Sequence, residues 1–434
     1  MHRREFLGLV GAAALAQQPD YTLRIGPVTV EPVKGKFFKT IGYNGTAPGP
    51  LIRVPEGKTV TIEVVNGSDI AELCHWHGLY APPLVDGAME EGTPMIPPGA
   101  AKTYSFVARP AGTRWYHSHI SAERNLKRGT YNAQSGFFYV EPKNEPGAFD
   151  QEFFLYMKEW DPYFTTGGGE AGLEVMYKYN SIDGKSLGHG EPLRVREGQR
   201  VLLRILNASA TLHRRIACAG HTFTVLTMDG NPLSSPRETP ILELGPAERI
   251  DAIVTMSNPG VWILGETDDK ERAKGLGIVI EYANKSGEPA WTRPSTEPWN
   301  YAAFGTNAAT QEGERIPLVF EKKFAGSRWV DNWTINGKSW PKTDHIRVSE
   351  GRRYRLIFDN RSDEAHPIHL HRHMFELAKI GNTVTAGVFK DVVVVPAKTP
   401  VEVNLVASNP GPSLFHCHQQ LHMDYGFMTL LEYV

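Results

Sequence analysis

Near its C-terminus the chain reads His416-Cys417-His418-Gln419-Gln420-Leu421-His422-Met423-Asp424-Tyr425-Gly426-Phe427, led in by the apolar pair Leu414-Phe415. Such a lead-in reads as the end of a buried strand, and along a strand successive side chains point to opposite faces. Cys417 then faces one way and His416 and His418 the other, so one covalent segment can hold a metal on each side. A thiolate with imidazoles suits a blue copper site, and His422 returns to the Cys417 side after a short turn. The alternative, a buried cysteine between two structural histidines, is set aside because the rest of the chain supplies the missing ligands.

Those ligands come as further His-x-His pairs: His75/His77 in Cys-His-Trp-His-Gly, His117/His119 in Trp-Tyr-His-Ser-His, and His369/His371 in His-Pro-Ile-His-Leu-His. With 16 His in 434 residues, chance would produce about 0.6 such pairs; with His371/His373 and His416/His418 the chain has five. Both rings of a pair lie on one face of a strand, about 6–7 Å apart, a spacing that adjacent coppers need.

With these four motifs in order, two near the front and two near the end, the chain resembles the multicopper oxidases, a family that includes laccases, from about Tyr21 onward. The resemblance implies an all-β fold of three consecutive cupredoxin-like Greek-key β-sandwich domains, with copper sites inside the last domain and between the first and last. It implies four copper ions. The type 1 copper takes His366, Cys417 and His422; the type 2 copper takes His75 and His369. The two type 3 coppers take His77, His117 and His418 on one ion, and His119, His371 and His416 on the other. Cys417 and His422 are the expected electron entry. The axial position of the type 1 site, ten residues after the ligand cysteine, is Phe427, which cannot coordinate; Met428 is the other axial candidate. His373 matches a family histidine that is not a ligand. Asp86, in Val85-Asp86-Gly87, matches an acid near the cluster and is an expected proton relay, although Asp-Gly also reads as a plain turn.

Three departures stand out. Positions three and six after the cysteine, where many members carry an acid, are Gln420 and Met423, with Asp424 one later. Arg372 replaces the usual glycine after the third motif, and Met95 stands where many members have a cysteine.

A faint repeat divides the chain. Arg53-Val54-Pro55-Glu56-Gly57, Arg194-Val195-Arg196-Glu197-Gly198 and Arg347-Val348-Ser349-Glu350-Gly351 are each followed, at one spacing, by Asn66-Gly67-Ser68, Asn207-Ala208-Ser209 and Asn360-Arg361-Ser362. Each copy reads turn, strand, turn, and the period is one domain long, too long for a solenoid. Counted from the repeat glycine, the places of His75/His77 and His369/His371 hold Ile216 and Cys218 in the middle copy, which therefore lacks ligands. His213, which lines up with His366, reads as structural. The expected division is 17–143, 144–284, a Pro-rich linker 285–316, and 317–434.

Residues 1–16 read as an export signal: Arg3-Arg4 before Phe6-Leu7 resembles a twin-arginine signal, and Ala14-Leu15-Ala16 is a cleavage site. The mature chain is expected in the periplasm or outside the cell. A net charge of −2 argues for neither nucleic acid nor anionic membrane; no other apolar run spans a bilayer, and a monomer is expected. With Cys417 a ligand, only Cys74 and Cys218 could pair, and unpaired thiols are the preferred reading. The expected activity is laccase-like, with small aromatic reductants and dioxygen as partners. The competing enzyme reading is oxidation of reduced metal ions, Cu(I), Fe(II) or Mn(II). A copper store or a copper-free structural relative is the competing class, disfavoured because every ligand is present.

Overall fold

The structure is a computed structural model that describes residues 18–145, 147–166, 173–295, 299–323 and 332–434. The expected export signal and the Gly167-Gly168-Gly169 loop lie outside the described residues. No helix among the described residues is long and apolar enough to cross a membrane.

Strands dominate, and they form six sheets. Alternation in the sequence becomes alternation in burial: in Thr59–Asn66, Val60, Ile62 and Val64 are buried while Thr59 is exposed, as a half-buried strand requires. The sheets pair into three sandwiches. The first packs Lys36–Tyr43, Tyr21–Val33, Thr59–Asn66 and Ala101–Val107 against a sheet ordered Ile52–Pro55, Ser135–Glu141, Gly112–His117, His75–His77. The corresponding sheet of the middle sandwich runs Leu193–Val195, Gly277–Tyr282, Val261–Glu266, Arg214–Cys218, Leu242–Leu244. In the last it runs Ile346–Val348, Met428–Tyr433, Ser413–Cys417, His366–Leu370, Val392–Val395. One strand order therefore recurs three times, and the positions counted from the repeat glycines fall on equivalent strands.

The repeated Asn-x-Ser has a physical reason. In each copy the asparagine is buried, and its side-chain amide donates to carbonyls on both sides of the turn. Asn66 reaches Ile70 and Ile96, Asn207 reaches Leu212 and Leu244, and Asn360 reaches Glu364 and Val395. Its Oδ1 accepts the amide of the serine two residues on. This closed Asx turn fixes where the next strand begins, which is His75–His77 in the first copy and His366–Leu370 in the last.

The buried apolar residues of the middle and last sandwiches form one connected core, whereas the first has its own. The stretch expected to be a surface linker is partly anchored: Tyr301–Phe304 is a 3-10 turn with Tyr301, Ala302 and Phe304 buried, and the Tyr301 hydroxyl donates to Glu248. The strand Glu314–Lys323 also starts inside that stretch. Three prolines concealed an amphipathic turn whose aromatic residues fill a gap between sandwiches.

Candidate metal centre

Cys417 ends the strand Ser413–Cys417, which pairs antiparallel with His366–Leu370 so that Cys417 lies opposite Ile368 and His416 opposite His369. A short helix, Gln420–Asp424, follows and brings His422 back. The Cys417 Sγ is 3.9 Å from His366 Nδ1 and 3.5 Å from His422 Nδ1, and the two Nδ1 atoms are 3.2 Å apart. Ser362, the serine of the third repeat, meets His366 Nε2 at 2.7 Å, and Glu364 meets His422 Nε2 at 3.2 Å. Both imidazoles are thus gripped at their outer nitrogen and turn Nδ1 toward the sulfur. Phe427 is fully buried beside them, its ring centroid 4.9 Å from that of His366. Met428 instead packs with Ala88, Leu414 and Leu430 in a separate cluster.

On the other side of the strand, the eight remaining histidines of the four motifs converge. His75–His77 pairs with Gly112–His117, placing His75 opposite His117. Three trios have nitrogens close enough to share an ion: His75, His77 and His369; His77, His117 and His418; His119, His371 and His416. For five of the eight, hydrogen bonds place the ring proton. His75, His117, His369 and His416 each donate Nδ1–H to a backbone carbonyl, of Asp86, Ser118, Asp391 and Cys417 respectively. His77 donates Nε2–H to the Asp391 carboxylate at 3.0 Å. A neutral imidazole carries one N–H, so the inward nitrogens are lone pairs: Nδ1 for His77, Nε2 for the other four. The Nε2 atoms of His75, His119, His369 and His418 are buried without a hydrogen-bond partner.

Burial first, and then the neighbouring imidazoles, hold His117, His119, His371, His416, His418 and His366 well below the usual imidazole range. They stay neutral and keep their lone pairs. Burial pushes the Cys417 thiol up, so a thiolate there needs a cation beside it. Buried, orphaned, convergent nitrogen donors with one sulfur are the donor set that copper takes; the residues fit the metal that the resemblance implies.

Asp86 is not merely a turn residue. Its side chain is buried, with Oδ2 3.0 Å from His371 Nδ1 and 3.1 Å from His75 Nδ1. Gly87 has φ +101°, and a Cβ there would sit 2.0 Å from the Cys74 carbonyl, so only glycine lets Asp86 approach. Asp424 stays away from the cluster: it accepts from the Ala122 and Glu123 amides and from Gln420. The Gln420 amide is engaged with Thr130, Ile120 and Asp424. His373 donates or accepts only toward Tyr433, Ser413 and its own chain. Cys74 and Cys218 are free, buried thiols. His213, expected to be structural, lines a cavity of about 450 Å³ together with His422, Glu364, Trp333 and Lys322.

Four side chains at these sites went unassigned in the sequence. Trp333 covers the His422 ring at 4.2 Å and stacks on Phe427 at 5.8 Å. Glu364, Asp391 and Glu91 are carboxylates that meet ligand-side imidazoles. Glu364 follows Ser362 in the third repeat, which could have pointed to it; the other three come from strands or turns with no motif of their own.

Comparison with known proteins agrees with this geometry. Family models described as multicopper oxidase match residues 24–145, 167–281 and 316–433. The chain is 31% identical to Multicopper oxidase MmcO of Mycobacterium tuberculosis, over 95% of this chain and 86% of that protein. It is 24% identical to Laccase-2 of Botryotinia fuckeliana, over 94% of this chain and 80% of that one. Among solved structures, a multi-copper oxidase from Pseudomonas thermotolerans superposes with a TM-score of 0.75 at 26% identity, covering 95% of this chain and 98% of that chain.

Proposed function

The chain belongs to the multicopper oxidase family and is an oxidoreductase with dioxygen as acceptor; we propose that its reductants are phenols and aromatic amines, oxidised one electron at a time. In this reading four coppers bind. His366, Cys417 and His422 hold the type 1 ion, with Phe427 axial, and His75 and His369 hold the type 2 ion. His77, His117 and His418 hold one type 3 ion, and His119, His371 and His416 the other. Bound copper supplies one-electron redox chemistry and dioxygen reduction.

The chain's own residues set the rest. His422 lies at the wall of the 450 Å³ cavity, a volume within the range of small-molecule sites, and is the point where a reductant comes nearest the sulfur ligand. Cys417 is bonded in sequence to His416 and His418, so a covalent path joins the two sites. Asp86, hydrogen-bonded to His371, is placed to hold and pass a proton at the cluster.

The observation that carries the substrate reading is what Glu364 does in the cavity. Burial alone would raise its pKa, but His422 and Lys322 pull it down to about 2. Its oxygens face His422 Nε2 and Lys322 Nζ, the latter at 3.0 Å. A metal ion would have to displace that ammonium group, whereas an aromatic ring can lie on Leu212, Met176 and Trp333. The second reading, oxidation of reduced metal ions, is favoured by Glu174 and Asp363 on the same wall. Among the described residues, though, no trio of metal-binding side chains converges there. Steady-state turnover of copper-loaded protein on dimethoxyphenol, Cu(I) and Fe(II) tests the choice. The phenol is expected to be the better substrate; a clear preference for either ion would replace the laccase-like reading with the metallo-oxidase one.

A further inference from the structure

His371 differs from the other cluster imidazoles in its outer contacts. Four of those rings rest on a backbone carbonyl, His75 having Asp86 Oδ2 at 3.1 Å as well, and His77 rests on one carboxylate. Among the described residues, His371 alone is reached by the carboxylates of two residues: Asp86 Oδ2 lies 3.0 Å and Glu91 Oε1 3.2 Å from its Nδ1.

Glu91 is an odd residue to find there. It belongs to a three-residue 3-10 turn, Met89–Glu91, in which Met89 is 58% exposed while the Glu91 side chain is fully buried. Burying a carboxylate is costly unless it is paired. Its Oε1 meets the His371 ring and accepts from the Leu414 amide at 2.6 Å, and its carboxyl shares a hydrogen bond with that of Asp86. Leu414 lies two residues before His416, and its carbonyl accepts the His371 amide. One carboxylate from the first sandwich therefore grips both a cluster imidazole and the strand that carries His416, Cys417 and His418. On the C-terminal helix, meanwhile, the acid that the resemblance leads one to expect is Gln420, whose amide is used elsewhere.

We propose that Glu91 is a positioning residue of the cluster: with Asp86 it holds His371 in one tautomer and orientation and makes it the strongest donor among the eight imidazoles. A carboxylate on the outer N–H of a ligand histidine fixes the ring and raises its basicity; here a hydrogen-bonded pair of acids shares that N–H. The inference rests on the assignment of His371 to a type 3 ion.

The test is Glu91→Gln, which keeps the shape and an acceptor for the Leu414 amide but replaces the carboxyl group facing His371 by an amide. After copper loading, the blue band and its anaerobic reduction by a phenol should match wild type. The near-ultraviolet band of the coupled pair should weaken, EPR-visible copper should rise, and oxygen turnover should fall roughly 10–100-fold, as for other outer partners of ligand histidines. A role limited to clipping Leu414 would leave the spectra unchanged, so a wild-type EPR spectrum in Glu91→Gln overturns the proposal. If that variant does not fold, Glu91→Asp serves: it keeps a carboxyl group but cannot span both contacts, and an unchanged EPR spectrum again overturns it. A wild-type protein that shows no EPR-silent pair would instead refute the ligand assignment itself.

Discussion

Arg372 places a charge next to His371 in sequence and yet turns it to a different task. Its φ is +63°, which accounts for the glycine that the resemblance leads one to expect. The guanidinium points away from the cluster and donates to the carbonyls of Ala81, Asn409, Pro410, Gly411 and Pro412 and to the Ser413 hydroxyl. The cost of the left-handed backbone is offset by clipping the loop that leads into the ligand strand. Phe427 is the residue on which the oxidising strength of the type 1 site is expected to turn. A buried ring that cannot coordinate, close to His366, keeps water away and disfavours the more charged cupric state. Phe427→Met should lower the type 1 potential and slow phenol oxidation several-fold with copper content unchanged; a redox titration with no shift, or an upward one, would remove Phe427 from the axial position. Glu72 offers a test by pH. Burial lifts its pKa from an ordinary 4.5 to about 7, the Ser118 and Gln134 hydrogen bonds offsetting only part of this. The folded state thus keeps a proton that the unfolded state has lost, so this group's contribution to stability falls as pH rises from 4.5 to 7. Glu72→Gln should therefore gain on wild type across that window, by up to about 3 kcal/mol. Unfolding of both copper-free proteins at pH 5 and pH 8 measures it; a pH-independent difference would show that Glu72 ionises normally.

At the scale of elements, the arrangement depends on where strands stop. His75–His77 and His366–Leu370 are short, fully buried strands, and each sits at or next to the edge of its sheet, where ring pairs can leave the sandwich and meet across the interface. His75 and His77 stack on His371 and His369 at 3.8 and 3.9 Å, so the first and last motifs interleave instead of facing each other. Replacing His75 and His369 together removes both ligands of the proposed type 2 ion but leaves the Cys417 side intact. Copper analysis should find one ion fewer per chain, the blue band should persist and oxygen reduction should cease; full copper content with normal turnover would refute the assignment. In the complementary experiment, Cys417→Ser should abolish the blue colour and substrate oxidation while the copper-free protein still folds, since Cys417 is one of many buried residues of the core shared by the middle and last sandwiches.

Across the whole molecule, the three sandwiches meet at Asp391. This carboxylate, from the last sandwich, receives a two-pronged contact from Arg249 of the middle one, at 2.7 and 2.6 Å, and a longer one from Arg114 of the first. It also holds His77 through its side chain and His369 through its carbonyl. Beside it, Lys390 bridges Asp229 and Glu248. Removing one partner of a buried ion pair costs about 3–5 kcal/mol because the other is left uncompensated. Arg249→Met should lose that much in the copper-free protein and should also reduce type 2 copper retention, because Asp391 orients His77 and His369. A stability loss with the type 2 EPR signal untouched would show that the network only docks domains.

The sequence by itself determined the family, the all-β class and the place of the His-x-His motifs. Those properties are local and periodic: a strand's two-residue period puts His416 and His418 opposite Cys417, and a turn written as Asn-x-Ser marks each repeat. Counting from the repeat glycines also places Ile216 and Cys218 in the middle copy where the other two carry histidines. Only the tertiary structure decided what surrounds the ligands. Asp391, Glu91 and Trp333 carry no motif, because a residue that hydrogen-bonds or stacks on a ring from another strand needs only proximity, and proximity between distant strands leaves no spacing in the chain. The same holds for Arg372, whose charge is balanced by carbonyl dipoles that backbone geometry alone aligns, and for Tyr301, buried where prolines suggested a surface linker.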